Sequence, residues 1–155
     1  MSAAASARAR AATPVLYVAE PPAAYLMSPP LVVDCSVLSA ALFEEETRDQ
    51  AIDRMTGKAL HAPFLLDHEM ISVALKKARL GWPQAAIDLA LSDYAQQDIE
   101  LHRTAVRAQH QLALRYKLSS YDAAYLWLAA ELKAPLATFD EQLAAAAQTH
   151  LAGLP

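Results

Sequence analysis

From position 31 onward, short apolar runs alternate with longer stretches in which apolar residues return every three to four positions. Leu31, Val32 and Val33 stop at Asp34, and Val37, Leu38, Ala40, Ala41 and Phe43 then follow at helical spacing over residues 36–43, which predicts a strand and then a helix. A second helix is predicted over residues 47–55, with Thr47 as N-cap and Gly57 as the C-cap glycine. Residues 60–62 read as a brief extended piece, after which Pro63 opens a helix carrying Phe64, Leu65, Val73 and Leu75 and ending at Gly81. Pro83 starts another helix that reaches about Tyr94. Residues 98–101 and 135–138 are the remaining strand candidates, and helices are predicted over 104–117, 120–132 and 141–149. Strands that alternate with helices make βαβ units, so the predicted class is α/β: a short, mostly parallel sheet in a three-layer α/β/α sandwich.

Residues 1–30, MSAAASARARAATPVLYVAEPPAAYLMSPP, break this pattern and read as a low-complexity extension ahead of a domain at 31–155. Its apolar run from Val15 to Ala19 is shorter than a secretory core of about 7 to 15 residues. Met27 is an alternative native start, and the Arg-rich, acid-poor beginning also suits a transit peptide.

Composition narrows the class further. Alanine fills 35 of 155 positions and glycine three, too little turn-forming sequence for an all-β sandwich or barrel. The single cysteine, Cys35, leaves no disulfide framework and fits a reducing, cytoplasmic setting. No run of roughly 18 apolar residues predicts a membrane span. Glycines only at 57, 81 and 153 leave no phosphate-cradling loop. The net charge of −4 offers no general attraction for nucleic acid, so a polyanionic partner must be held locally, where bound cations can invert the field.

Parallel sheets bind ligands beyond the carboxyl ends of their strands, and acids fall there. Asp34 follows the first strand and Asp140 the fourth. Glu69 shares an apolar helix stripe with Leu65 and Val73, and Asp122 lies in the first turn of the helix opened by Ser119 or Ser120, whose Tyr125, Leu128, Ala129 and Leu132 face the core. Each has a plainer reading. Asp34 and Asp140 can be N-caps, Asp122 can complete a capping box with Ser119, and Glu69 can be half exposed at a stripe edge or pair with Lys76.

The segments LVVDCSVLSAALF, HAPFLLDHEMISVALKK, LSSYDAAYLWLAAEL and LATFDEQLAAAA resemble the four ordered motifs of the PIN domain, and their spacing resembles the VapC toxins of type II toxin-antitoxin pairs. The resemblance covers residues 31 to about 150 and implies an acidic quartet at Asp34, Glu69, Asp122 and Asp140, with Ser36 and Thr138 orienting the first and last acids. It further implies an endoribonuclease that leaves 5′-phosphate and 3′-hydroxyl ends, a VapB-like antitoxin partner, and a homodimer with the helices after Thr47 and Pro83 as contacts. A fifth strand common in relatives is expected to be short or missing, since the chain stops at Pro155.

Clustered carboxylates need cations or protons, because two unit charges about 4 Å apart repel by roughly 4 kcal/mol at an effective dielectric of 20. Oxygen-only ligands favour Mg²⁺ or Mn²⁺, and the absence of a Cys or His pair beside the acids argues against zinc; His68 adjoins Glu69 but points about 100° away. Arg48, Lys76, Lys77, Arg79, Arg115 and Lys117 are scattered basic residues that could guide RNA. The rival reading is a catalytically silent PIN-like partner-binding module, and a phosphoryl receiver with Asp34 as acceptor is disfavoured because Phe139 and Asp140, not a lysine, follow Thr138.

Overall fold

A computed structural model describes residues 28–155. The expected extension at 1–30 lies outside the described residues except for its last three positions. The chain runs β1 (Pro30–Val33), α1 (Cys35–Leu42), α2 (Arg48–Met55), β2 (Ala59–Pro63), α3 (Leu65–Arg79), α4 (Gln84–Ala95), β3 (Ile99–His102), α5 (Val106–Tyr116), α6 (Ser120–Leu132), β4 (Leu136–Ala137) and α7 (Glu141–Ala152). The strands form one parallel sheet in the order β3-β2-β1-β4. Helices α1–α4 pack among themselves, as do α5–α7, and the two sets make the outer layers of an α/β/α sandwich.

Burial explains the arrangement. β1 lies between two partners, and Leu31, Val32 and Val33 are almost fully buried, as an apolar run covered on both faces requires. Helix α6 covers β1, β2 and β4. Its Ala123, Ala124, Tyr125, Leu126, Leu128 and Ala129 are all buried, the pattern of a helix apolar around most of its circumference rather than along one stripe. The alanines let it approach the sheet closely.

One element boundary differs from the expectation, at Pro63. Pro63 ends β2 and pairs with His102 instead of opening a helix, and α3 begins at Leu65. A proline has a φ that serves the last residue of a strand as well as the first of a helix. The buried stripe of α3 is Leu66, Met70 and Ala74. Leu65, Glu69 and Val73 form its half-buried flank, while Phe64 and Leu75 are exposed, so the predicted stripe sits about one residue out of phase. Gly57 follows α2 with φ of 73°, as a helix-ending glycine should, although Thr47 makes no side-chain cap bond. Among the described residues no fifth strand follows α7.

Candidate active site

The turn after β1 is locked to the turn after β4. Asp34 donates its backbone N–H to the carbonyl of Ala137 at 3.0 Å, and its carboxylate Oδ2 accepts from Ser36 Oγ at 2.9 Å and Thr138 Oγ1 at 2.7 Å. The same hydroxyls accept backbone N–H bonds, Ser36 from Phe139 and Thr138 from Asp140, both at 3.0 Å. The two hydroxyls therefore tie Asp34 to the loop that carries Asp140. Asp34 occupies the N-cap position of α1 without a side-chain cap bond, so capping does not account for this acid, which is only 5% exposed.

Asp140 does cap α7: its Oδ1 accepts from the N–H of Leu143 at 2.7 Å. The side chain is otherwise exposed, and its second oxygen is left for another partner. At the start of α6, Ser119 Oγ accepts from the N–H of Asp122 at 3.1 Å, which makes Ser119 the cap and leaves the Asp122 carboxylate half-buried. Glu69 accepts from the hydroxyl of Tyr125 at 2.7 Å, and Lys76 is not its partner. The apolar pattern marks Tyr125 only as core; a tyrosine inside an apolar helix needs a partner for its hydroxyl, and that need is the signal in the sequence.

Charge coupling brings the acids together electrostatically. Burial pushes Glu69 up to about 7, and the negative charges of Asp34 and Asp122 push the same way against the Tyr125 hydrogen bond. Asp122 is also raised, first by burial and then by Asp140 and Asp34, with Ser119 opposing. Among the described residues none of the four acids takes part in an ion pair. Their oxygens do not form a group as tight as 4.8 Å; the three side chains that do are His61, Glu100 and His102, at the other edge of the sheet. Burial, with help from Glu69, Asp34 and Glu45, pushes the Cys35 thiol up to about 12, and its sulfur lies 3.7 Å from Met70 Sδ, so it is an inert core thiol.

A cleft of about 540 Å³ opens beside Glu69, with Val73, Lys76, His68 and Tyr121 on its walls. Lys76 thus shares a cleft with Glu69. Lys77 instead pairs with Glu45 at 3.2 Å and lies over the rings of Phe43 and Trp82, and Arg48 pairs with Asp49.

The donor set suits a hard divalent cation: it consists of oxygens alone, includes one deeply buried carboxylate, and among the described residues none of its acids is in an ion pair. No helix among the described residues is long and apolar enough to cross a membrane.

The PIN domain family model matches residues 31–148. Ribonuclease VapC3 of Pyrobaculum aerophilum is 30% identical over 121 residues, covering 74% of this chain and 92% of that protein. The crystal structure of PAE2754 from Pyrobaculum aerophilum superposes with a TM-score of 0.59 at 23% identity, covering 81% of this chain and 88% of the other. With the match running from β1 into the last helix, the chain belongs to the PIN-domain family and is VapC-like within it.

Proposed function

We propose that this protein is a divalent-metal-dependent endoribonuclease and the toxin of a toxin-antitoxin pair. The observation that carries the reading is a buried Asp34 whose charge acts on Glu69 and Asp122, two carboxyl groups held above their ordinary range, with no ion pair among the described residues to relieve them. The relative named as a ribonuclease supports the RNA substrate. Asp34, Glu69, Asp122 and Asp140 are assigned as the ligands, with Mg²⁺ or Mn²⁺ as the ion and the nuclease domain at residues 31–155.

When bound, such an ion polarises a phosphoryl oxygen and makes water a stronger nucleophile near neutral pH. The chain contributes position and charge. Ser36 and Thr138 hold one Asp34 oxygen, the cap bond of Asp140 fixes that side chain at α7, and Tyr125 sets the Glu69 carboxylate. Lys76 and the exposed Tyr121 offer the cleft a phosphate contact and a stacking surface. A VapB-like antitoxin segment would cover this cleft, and a homodimer would form through α2 and α4, where Leu89 is exposed.

The test combines purified protein, RNA and magnesium with expression in cells. Magnesium-dependent cleavage lost in Asp34→Asn, and growth arrest relieved by the neighbouring small gene, are expected. Folded wild-type protein that neither cleaves RNA nor arrests growth would favour the silent binding module.

A further inference from the structure

The sheet edge opposite β4 carries a second set of ligand-type side chains that the nuclease reading does not use. The parallel register places His61 of β2 across from Glu100 of β3, and Pro63 across from His102. Glu100 and His102 are two apart on one strand, so their side chains leave the same face, and His61 leaves that face between them. His61 Nδ1 lies 2.9 Å from His102 Nε2, and the two Glu100 oxygens lie 3.6 Å from His61 Nδ1 and 3.7 Å from His102 Nε2. One ligand atom from each of the three falls within 4.8 Å of the others.

We propose that His61, Glu100 and His102 form a binding site for a divalent transition-metal cation of the zinc class, separate from the acidic cluster, that clamps the edge strand β3 to β2. Nitrogen and oxygen ligands about 2.0 to 2.2 Å from a tetrahedral zinc stand roughly 3.3 to 3.5 Å from one another. The carboxylate comes within a few tenths of an ångström of that spacing with a different oxygen toward each ring, Oε2 toward His61 and Oε1 toward His102, so a small turn of the group brings one oxygen to both. The two imidazole nitrogens need to part by about 0.4 Å, which a small turn of either ring supplies. Two imidazoles and one carboxylate are the donor mix that suits zinc rather than magnesium.

The surroundings agree. The histidine side chains are 14% and 21% exposed, whereas that of Glu100 is 68% exposed, so the ring pair is sheltered and the carboxylate leaves an approach from solvent and a fourth position for water. Among the described residues Glu100 has no lysine or arginine partner that would have to be displaced. Burial, reinforced by His102 and opposed by Glu100, holds His61 below its ordinary range, which favours the neutral imidazole a metal needs. The hydrogen bond from the N–H of Phe64 to the carbonyl of His102, at 3.0 Å, continues the β2–β3 pairing past the site and holds both strands in place.

The experiment strips the full chain with a chelator and titrates it with zinc in the presence of millimolar magnesium, which occupies hard oxygen sites. Calorimetry is expected to give one zinc per chain at micromolar affinity or tighter, with Tm raised by about 5 °C near saturation. Glu100→Gln and His102→Gln should each weaken binding by about tenfold or more, while the Asp34→Asn, Asp140→Asn double variant should bind as the parent does. Glu100 is exposed, so its substitution tests the ligand without threatening the fold. Absence of zinc uptake by the folded parent would overturn the proposal. So would unchanged affinity in both edge variants, or a loss confined to the aspartate variant, which would place the ion at the acids instead.

Discussion

Beyond the ends of β1 and β4 stand carboxylates that join no ion pair among the described residues, whereas at the β2–β3 edge a single carboxylate stands between two imidazoles. In the first region Asp34 and Asp122 add to burial in raising Glu69, Asp140 and Asp34 do the same to Asp122, and protons or outside cations relieve the repulsion. In the second, the two ring nitrogens lie at hydrogen-bond distance, 2.9 Å, and the carboxylate oxygens stand 3.6 and 3.7 Å from them. Proximity alone thus does not mark the catalytic place: the tighter cluster is nearly self-sufficient, and the looser, unsatisfied one is the candidate for chemistry on a polyanion. β3 lies two strand spacings, about 10 Å, from β1, and neither cluster figures among the causes of the other's shifts.

The largest effect expected at the acidic end is on catalysis. Asp34→Asn keeps an acceptor for Ser36 and Thr138 but removes the buried charge, and should lower magnesium-dependent RNA cleavage by at least about a hundredfold. The same substitution should leave metal-free Tm unchanged or higher, because it removes one member of a repelling set. A variant that cleaves at parental rate would dissolve the contrast between the two regions.

Tyr125→Phe asks whether Glu69 is merely buried or also positioned. The hydroxyl stabilises the Glu69 carboxylate, so its loss should raise the Glu69 pKa further. Cleavage should fall about tenfold, and the acid limb of the pH profile should move to higher pH. A uniform loss without that displacement would assign Tyr125 to packing alone.

How far this contrast can be read from sequence depends on separation along the chain. The alternation of short apolar runs with helical spacing reports the α/β class, and α6 is legible end to end because both its serine start and its apolar content are local. Pro63 misleads because a proline fits the end of a strand and the start of a helix alike, and the phase of α3 shifts with it. Asp34 and Asp140 are visible as acids after strands, yet the link between them runs through Thr138, which lies 104 positions from Asp34; only the family resemblance pointed to it. Tyr125 and Glu69 are 56 apart, and His61 and His102 are 41 apart. A search for a His pair beside the acids passes over this one, because two strands in register bring it together.

Metal-free stability should also separate the regions. Glu69 titrates near 7 in the folded protein against an ordinary 4.5, so the folded state binds more protons than the unfolded state between those values. Stability must then fall as pH rises through that window, the reverse of an ion-paired carboxylate. Because Glu69 is partly solvated, the change should be about 1 kcal/mol, or roughly 3 °C in Tm. Melting curves from pH 5 to 8 should show this decline, Glu69→Gln should flatten it, and millimolar magnesium should offset it.

The smallest effect is expected at the sheet edge. Glu100→Gln, measured without transition metal, keeps two polar atoms facing His61 and His102 and removes a charge that is largely in water. An exposed pair of this kind contributes between nothing and about 1 kcal/mol, so Tm should move by no more than about 2 °C. RNA cleavage with saturating magnesium should stay within about twofold of the parent, since substitutions at separate, uncoupled sites add with little interaction. In the Asp34→Asn background Glu100→Gln should shift Tm by the same small amount as in the parent. An interaction energy above about 0.5 kcal/mol between the two would mean that the edge and the acids share one electrostatic network, and the separation drawn between them would fail.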